Sequence, residues 1–237
     1  MNTRLTTTIM PMTKRGKRLA QMRLWQLISP ALPIGSYAYS QGLEAAVEAG
    51  WVHDETSAAS WIRGVLTHGL MRVDVPVMQR LYHAWQAEDM QKVHYWNNYI
   101  LAMREAAELR EEDRQQGLAL MRLLNDLGVK QACFIDREAM SVLSLFSLAT
   151  VAWQIDLADA SHGYLWSWCE NQVAAAIKLV PLGQTAGQRI LSTLVEVLAT
   201  QVEPALQLDD EAIGGVLPGL ALASAWHETQ YSRLFRS

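Results

Sequence analysis

The sequence has little of what several common functions need. It holds two cysteines, Cys133 and Cys169, too few and too far apart for a disulfide framework or a paired metal clamp, which points to a reducing setting. There is no basic excess: 20 Lys plus Arg against 24 Asp plus Glu leave a formal charge of −4. That balance argues against nucleic acid, whose binding rests on neutralising phosphates with cations. No run approaches the roughly 20 mostly apolar residues that span a bilayer. The longest charge-free stretch, between Glu138 and Asp156, is broken by Ser141, Ser144, Ser147, Thr150 and Gln154, and reads as a buried helix, so no membrane role is expected. The first residues lack the apolar block and small-residue cleavage site of a secretory signal. Arg4, Lys14, Arg15, Lys17 and Arg18 among Thr and Met predict a frayed, basic leader over 1–20. The expected location is cytoplasmic.

Catalytic motifs are equally scarce. No G-x-x-x-x-G-K-[ST] loop cradles phosphates, so this chain alone does not read as a nucleotide hydrolase. The histidines His53, His68, His83, His94, His162 and His227 include no i, i+4 pair flanking a carboxylate, and none joins a Cys/His cluster. Each reads as a structural histidine, and no dedicated metal site is expected. Serine lacks the G-x-S-x-G turn, and neither cysteine has a sequence-near activator. Glu108, Glu111, Glu112 and Asp113 are crowded enough for acid/base work. With Arg104 four residues before Glu108 and Arg110 three before Asp113, however, they read as a solvated helix face with modest ion pairs, or as a partner surface.

What is present is helical periodicity. Apolar residues recur at three and four, and strand-like alternation is scarce. After Asp54, a capping residue, Trp61, Ile62, Val65, Leu66, Gly69 and Leu70 make one stripe. Val77, Met78, Leu81, Tyr82 and Trp85 make the next, with Pro76 in its first turn. Further helices are expected near 90–109, 111–127, 138–156, 160–180, 186–203 and 219–231, giving a single all-α bundle of about eight to ten helices over 21–226. The every-third Ser141, Ser144, Ser147 and Thr150 form a small-residue seam for close helix packing. Hydrophobic residues make up 50 % and charged residues 19 %, with nine Trp; some of that surplus is expected on partner-facing surface.

Three segments stand apart from this pattern. In Ser29 to Glu44, Pro33 and Gly35 suit a type I turn, and Ser36 can cap a following helix. Tyr39, Gly42, Leu43, Ala46 and Val47 would face inward, with Gly42 allowing close packing. Tyr37, Gln41, Glu44 and Glu48 would lie on the other face, either solvated or as a recognition surface. In Ile177 to Arg189, Pro181 stops one helix, Gly183 turns the chain, and Thr185 with Gln188 fits a capping box for the next. Lys178 either complements the negative end of its helix or serves as an interface contact. The last segment, 227–237, concentrates Tyr231, Arg233, Leu234, Phe235 and Arg236, residues suited to a docking peptide.

Together these passages resemble the UreF family of urease accessory proteins. The matching residues are Leu32-Pro-Ile-Gly35, Ser40-Gln-Gly-Leu-Glu44, Arg104-Glu, Glu108-Leu-Arg-Glu-Glu, Lys178-Leu-Val-Pro-Leu-Gly-Gln184 and His227 to Ser237, in order over about 22–237. Residues 1 to about 20 fall outside the match, so Met10, Met12 or Met22 are alternative starts. The resemblance implies an all-α, often dimeric, non-enzymatic protein without a tightly bound cofactor. It would bridge the accessory protein UreD, also called UreH, to the nickel-carrying GTPase UreG. The assembly would dock on apo-urease so that nickel and the carbamylated lysine enter the active site. By the same resemblance Glu44, Glu108 and Lys178, with the corner Pro181, Gly183, Gln184 and Gln188, face UreG, while Tyr231 to Arg236 order against UreD. The alternative is a GTPase-activating protein offering Arg110 or Arg233 to UreG as an arginine finger.

Overall fold

The computed structural model describes residues 13–134 and 140–237. Among these residues the architecture is all-α, with ten α-helices and no strand. The helices are α1 (Lys14–Leu27), α2 (Leu43–Glu48), α3 (Glu55–Val65), α4 (Asp74–Gln86), α5 (Met90–Ala102), α6 (Ala107–Asp126), α7 (Val142–Ala152), α8 (Leu157–Leu179), α9 (Gln184–Leu206) and α10 (Pro218–His227). Local chemistry explains several boundaries. Asp54 caps α3 by accepting from the Ser57 N–H at 2.7 Å, and Asp156 caps α8 through the Ala158 N–H at 2.9 Å. Pro76 sits in the first turn of α4, where its missing N–H costs nothing.

Helix α8 is the centre of the arrangement, packing against α9, α2, α3, α4 and α1. One apolar cluster gathers Leu43, Ile62, Leu66, Leu165, Ile190 and Leu194; the other gathers Met78, Leu81, Ile100, Leu120, Leu124 and Leu143. Tyr164 on α8 packs against both. The seam on α7 lies within the second cluster: Ser141, Ser144, Ser147 and Thr150 are fully buried. Trp85 on α4 donates its indole N–H to the Ser144 carbonyl at 2.9 Å. Packing is therefore the role of the seam. Of the nine Trp, Trp25, Trp51 and Trp226 are substantially exposed, and Trp51 lies against Trp226 with ring centroids 5.0 Å apart.

The structure differs from the periodicity reading at several places. Lys14, Arg15, Lys17 and Arg18, expected in a frayed leader, lie on α1, whose first turn is capped by Thr13; residues 1–12 lie outside the described residues. The stripe ending at Leu70 leaves the α-helix at Val65 and finishes in a wider π turn, Leu66–Leu70. The helix expected over 90–109 ends at Ala102, because Arg104 turns inward to buried carboxylates and Ala106 is extended. The expected start near 138 falls outside the described residues; the observed start is Val142, capped by Ser141. Thr185 and Gln188 make no capping box, since α9 opens two residues earlier, on Gly183, without a side-chain cap. The last helix stops at His227 rather than 231.

Candidate functional site

The helix expected after Ser36 is a short 3-10 turn, Ser36–Ala38, followed by a break. Gln41 at φ +53° and Gly42 at φ +77° are both left-handed, which costs little at glycine and about 1 kcal/mol at glutamine. Hydrogen bonds hold Gln41 there: its amide donates to Glu112 at 2.8 Å and accepts from the Trp168 indole at 2.7 Å. A side chain at Gly42 would collide with Ser224 on α10, its first carbon 2.9 Å from the hydroxyl. So α2 and α10 pack closely at this point, as the glycine suggested.

This break aims Glu44, in the first turn of α2, inward. It is buried, which corrects the expectation of a polar face shared with Tyr37 and Glu48. Its carboxylate accepts the main-chain N–H groups of Leu234 and Phe235 at 2.7 and 2.8 Å. One turn apart on α6 stand Glu108 and Glu112. Glu108 accepts from Arg233 at 2.7 Å, and Glu112 accepts from Gln116 at 2.8 Å and from the Ser237 hydroxyl at 2.9 Å. His227, fully buried, faces Glu108 with Nδ1 at 2.7 Å and Glu44 with Nε2 at 3.3 Å. The main-chain oxygen of Ser237 accepts from the N–H groups of Ser40 and Gln41 at 2.6 and 3.0 Å, while the Arg236 N–H donates to the Ala38 carbonyl at 2.8 Å. Residues 233–237 are thus clasped against the body. The physical logic is reciprocal satisfaction: buried carboxylates need donors, and the otherwise unpaired main chain of the last residues supplies them.

Burial pushes the Glu112 carboxyl up to about 7, against the opposing hydrogen bonds from Gln41 and Ser237. Next to it, Asp113 accepts from Arg104 at 2.9 Å and from the Val142 N–H at the start of α7 at 2.7 Å. Arg104 also forks onto Asp74 at 2.7 and 3.1 Å, and the Tyr164 hydroxyl donates to Asp74 at 3.0 Å. Burial works to lower the Arg104 pKa, but the Asp74 and Asp113 charges outweigh it and hold the guanidinium well above its ordinary value. Burial, then the Asp74 charge, raises the Tyr164 phenol. The expected solvated face is corrected accordingly: Glu112 and Asp113 are buried, and Arg104 pairs with Asp74 and Asp113 rather than Glu108. Arg110 is exposed and donates to the Arg104 carbonyl at 2.7 Å instead of pairing with Asp113.

A cleft of about 440 Å³ opens beside these groups, reaching from Tyr37 and Gln41 past Arg104 and Glu112 to Gln184 and Gln188. Lys178 is exposed at the end of α8, its ammonium 5.4 Å from the centre of the buried Phe235 ring. There it can complement the negative end of its helix or meet a partner, and the Phe235 ring adds a third contact. Pro181, Gly183, Gln184 and Gln188 are exposed at the α8–α9 corner. Tyr231, Arg233, Leu234 and Arg236 are exposed as well. So the structure brings Gln41, Glu44, Glu108, Lys178, Arg233 and Phe235 into one neighbourhood, while Tyr37, Arg110, Tyr231 and the corner stay at the surface around it.

Sequence reasoning missed Glu112, His227 and the Arg104–Asp74–Asp113 group as interior features. A signal existed on α6. Running the apolar stripe of Leu120 and Leu124 backwards by fours and threes lands on Gly117 and Asp113, so a charge sits on the inward face. Gly117 there meets the Met140 main chain so closely that no larger residue fits. Cys169 is buried, its thiol pushed up to about 12 by burial, and the Glu170 charge adds to the shift, so it is no nucleophile. Among the described residues, no group of three or more His, Cys, Asp or Glu is arranged to hold a metal ion, and no helix is long and apolar enough to cross a membrane.

Comparison with known proteins agrees with the resemblance in the motifs. The UreF family model matches residues 52–195. The urease accessory protein UreF of Alkalilimnicola ehrlichii is 55 % identical over 226 residues, covering 95 % of this chain and 99 % of that protein. The urease accessory protein UreF of Hahella chejuensis is 50 % identical over 220 residues, with 92 % and 99 % covered. That of Chromohalobacter salexigens is 48 % identical over 219 residues, with 92 % and 95 % covered. On this agreement across nearly the whole length, the chain belongs to the UreF family.

Proposed function

We propose that this chain is a maturation factor for urease, acting as an adaptor rather than as a catalyst. It joins UreD/UreH to the GTPase UreG and brings both onto apo-urease for nickel insertion, in the cytoplasm and as a homodimer. Nickel is cargo of that assembly, and no resident cofactor is assigned to this chain. The observation that carries the reading is 55 % identity to a urease accessory protein UreF over 95 % of the chain. The geometry supports it in kind. The interior charged groups Glu44, Asp74, Arg104, Glu112 and Asp113 are engaged in holding the chain in place, and the side chains left outward, Tyr231, Leu234, Arg236 and Lys178, suit contact.

On this reading Lys178 and the corner Pro181, Gly183, Gln184 and Gln188 meet UreG, and the outward side chains of 231–236 meet UreD. The clasp changes the energetics of the second contact. A segment already ordered on its own body does not bear the roughly 2–5 kcal/mol of ordering that a free peptide bears on binding. The GTPase-activating alternative has weaker support: Arg233 is tied to Glu108 and Arg110 to the Arg104 carbonyl. Single-turnover GTP hydrolysis by UreG separates the two readings. An adaptor leaves the rate within twofold, whereas an arginine finger raises it by orders of magnitude. Reconstituted urease activation tests the adaptor itself, which fails if activation proceeds at full speed without this chain.

A further inference from the structure

The groove that holds residues 233–237 has the properties of a peptide site. The side chains alternate inward and outward along the segment, and the chain bends at Leu234 and Phe235 so that both of their N–H groups reach Glu44. Three side chains turn in: Arg233 onto Glu108, Phe235 into a buried position under the Lys178 ammonium, and the Ser237 hydroxyl onto Glu112. Between them Leu234 is 66 % exposed and Arg236 is exposed. The groove grips the main chain at the same time. Glu44 accepts two consecutive N–H groups, Ala38 accepts the Arg236 N–H, and Ser40 donates to the Ser237 oxygen. The pattern read is Arg-x-Phe-x-Ser.

Nothing in that grip requires the segment to belong to the same chain. The connector from α10, residues 228–232, is exposed apart from a half-buried Gln230. Its hydrogen bonds are local turns, Thr229 and Gln230 onto Trp226, His227 and Ser232. Five extended residues reach about 17 Å, which sets how near a second copy's groove must lie to take the segment. Exchange of an identical element preserves every contact and adds none that must be evolved, so it is a low-cost route to joining copies. We propose that this groove is an exchangeable site, which takes the Arg-x-Phe-x-Ser segment of a second copy in place of its own. The inference rests on this chain's geometry and is tested on this chain alone, so its failure leaves the urease reading untouched.

The test uses full-length chains and a fluorescent peptide of residues 232–237. Phe235→Ala vacates the groove, and Arg233→Glu does so independently by setting like charges against each other at an exposed position. Both variants should bind the peptide at least tenfold more tightly than wild type, whose groove is filled. Adding Glu44→Gln to Phe235→Ala should remove at least tenfold of that affinity. Mixing the Glu44→Gln chain, with an intact segment, and the Phe235→Ala chain, with an intact groove, should give by native mass spectrometry a mixed dimer well beyond the twofold excess over either self-dimer that random pairing already produces. The proposal is overturned if both vacated chains keep wild-type helical circular dichroism yet bind no peptide. Undiminished binding to the double variant, or peptide binding without the mixed-dimer excess, would overturn it too.

Discussion

Adjacent residues on α6 serve two buried carboxylate groups that are satisfied in different ways. Asp113 belongs to a closed group: with Asp74 it shares the Arg104 counter-charge and is supplied with donors by Val142 and Tyr164, all in the body of the bundle. Glu112 belongs to a conditional group. With Glu44 and Glu108 it takes many of its donors from His227 and residues 233–237. The first group fixes how α4, α6, α7 and α8 meet, whatever the last residues do. The second is complete only while the clasp is shut. Opening the clasp exposes carboxylates that the fold has otherwise removed from water, so the last residues act on the body and the body acts on them.

The largest effect should come from breaking the closed group. Arg104→Met leaves Asp74 and Asp113 buried without their counter-charge, and should cost about 3–5 kcal/mol, read as an earlier midpoint in urea unfolding. A second, smaller loss sharpens the contrast. Glu44→Ala should cost about 1–3 kcal/mol and should strip hydrogen-exchange protection from the Leu234 and Phe235 amides while sparing those of α4 and α7. Equal loss of protection everywhere would show that the two groups are one unit.

The third distinction is in pH. Glu112 is held at about 7 in the folded chain against its ordinary 4.5. Between those values the unfolded chain has lost its proton and the folded chain has kept it, so the contribution to stability falls as pH rises through that window and levels off above about 7. The full effect is roughly 3 kcal/mol at most. Glu112→Gln should flatten that part of the pH profile and become relatively more stable at pH 8 than at pH 5, measured by thermal melts. A profile parallel to wild type would remove Glu112 from the account. The smallest effect on stability is expected at Lys178, exposed and outside both groups. Lys178→Ala should melt within about 0.5 kcal/mol of wild type, yet lower UreG recruitment and urease activation.

The helical class and most helix positions were legible because apolar residues at three and four spacings mark buried faces whatever they pack against. Asp54, Pro76 and Gly42 were legible because each solves a local problem of capping, missing donor or close approach. The serine seam was legible for the same reason. Glu44 and the acidic run of α6 were not, because a carboxylate on a helix reads as solvated unless its donor is known. Here the donors stand up to 191 residues away in sequence. Arg104 misled for a related reason, since its nearest carboxylate in sequence is not its nearest in space. The motifs carried the family; they could not say that several of them converge on one clasp.

The central claim is that this chain physically joins its partners. Purified chain, UreD/UreH and UreG are mixed and the resulting species weighed by light scattering after size exclusion. The account predicts one assembly containing all three, and no joint species of UreD/UreH with UreG when this chain is omitted. Formation of the same UreD/UreH–UreG assembly in its absence would contradict the account.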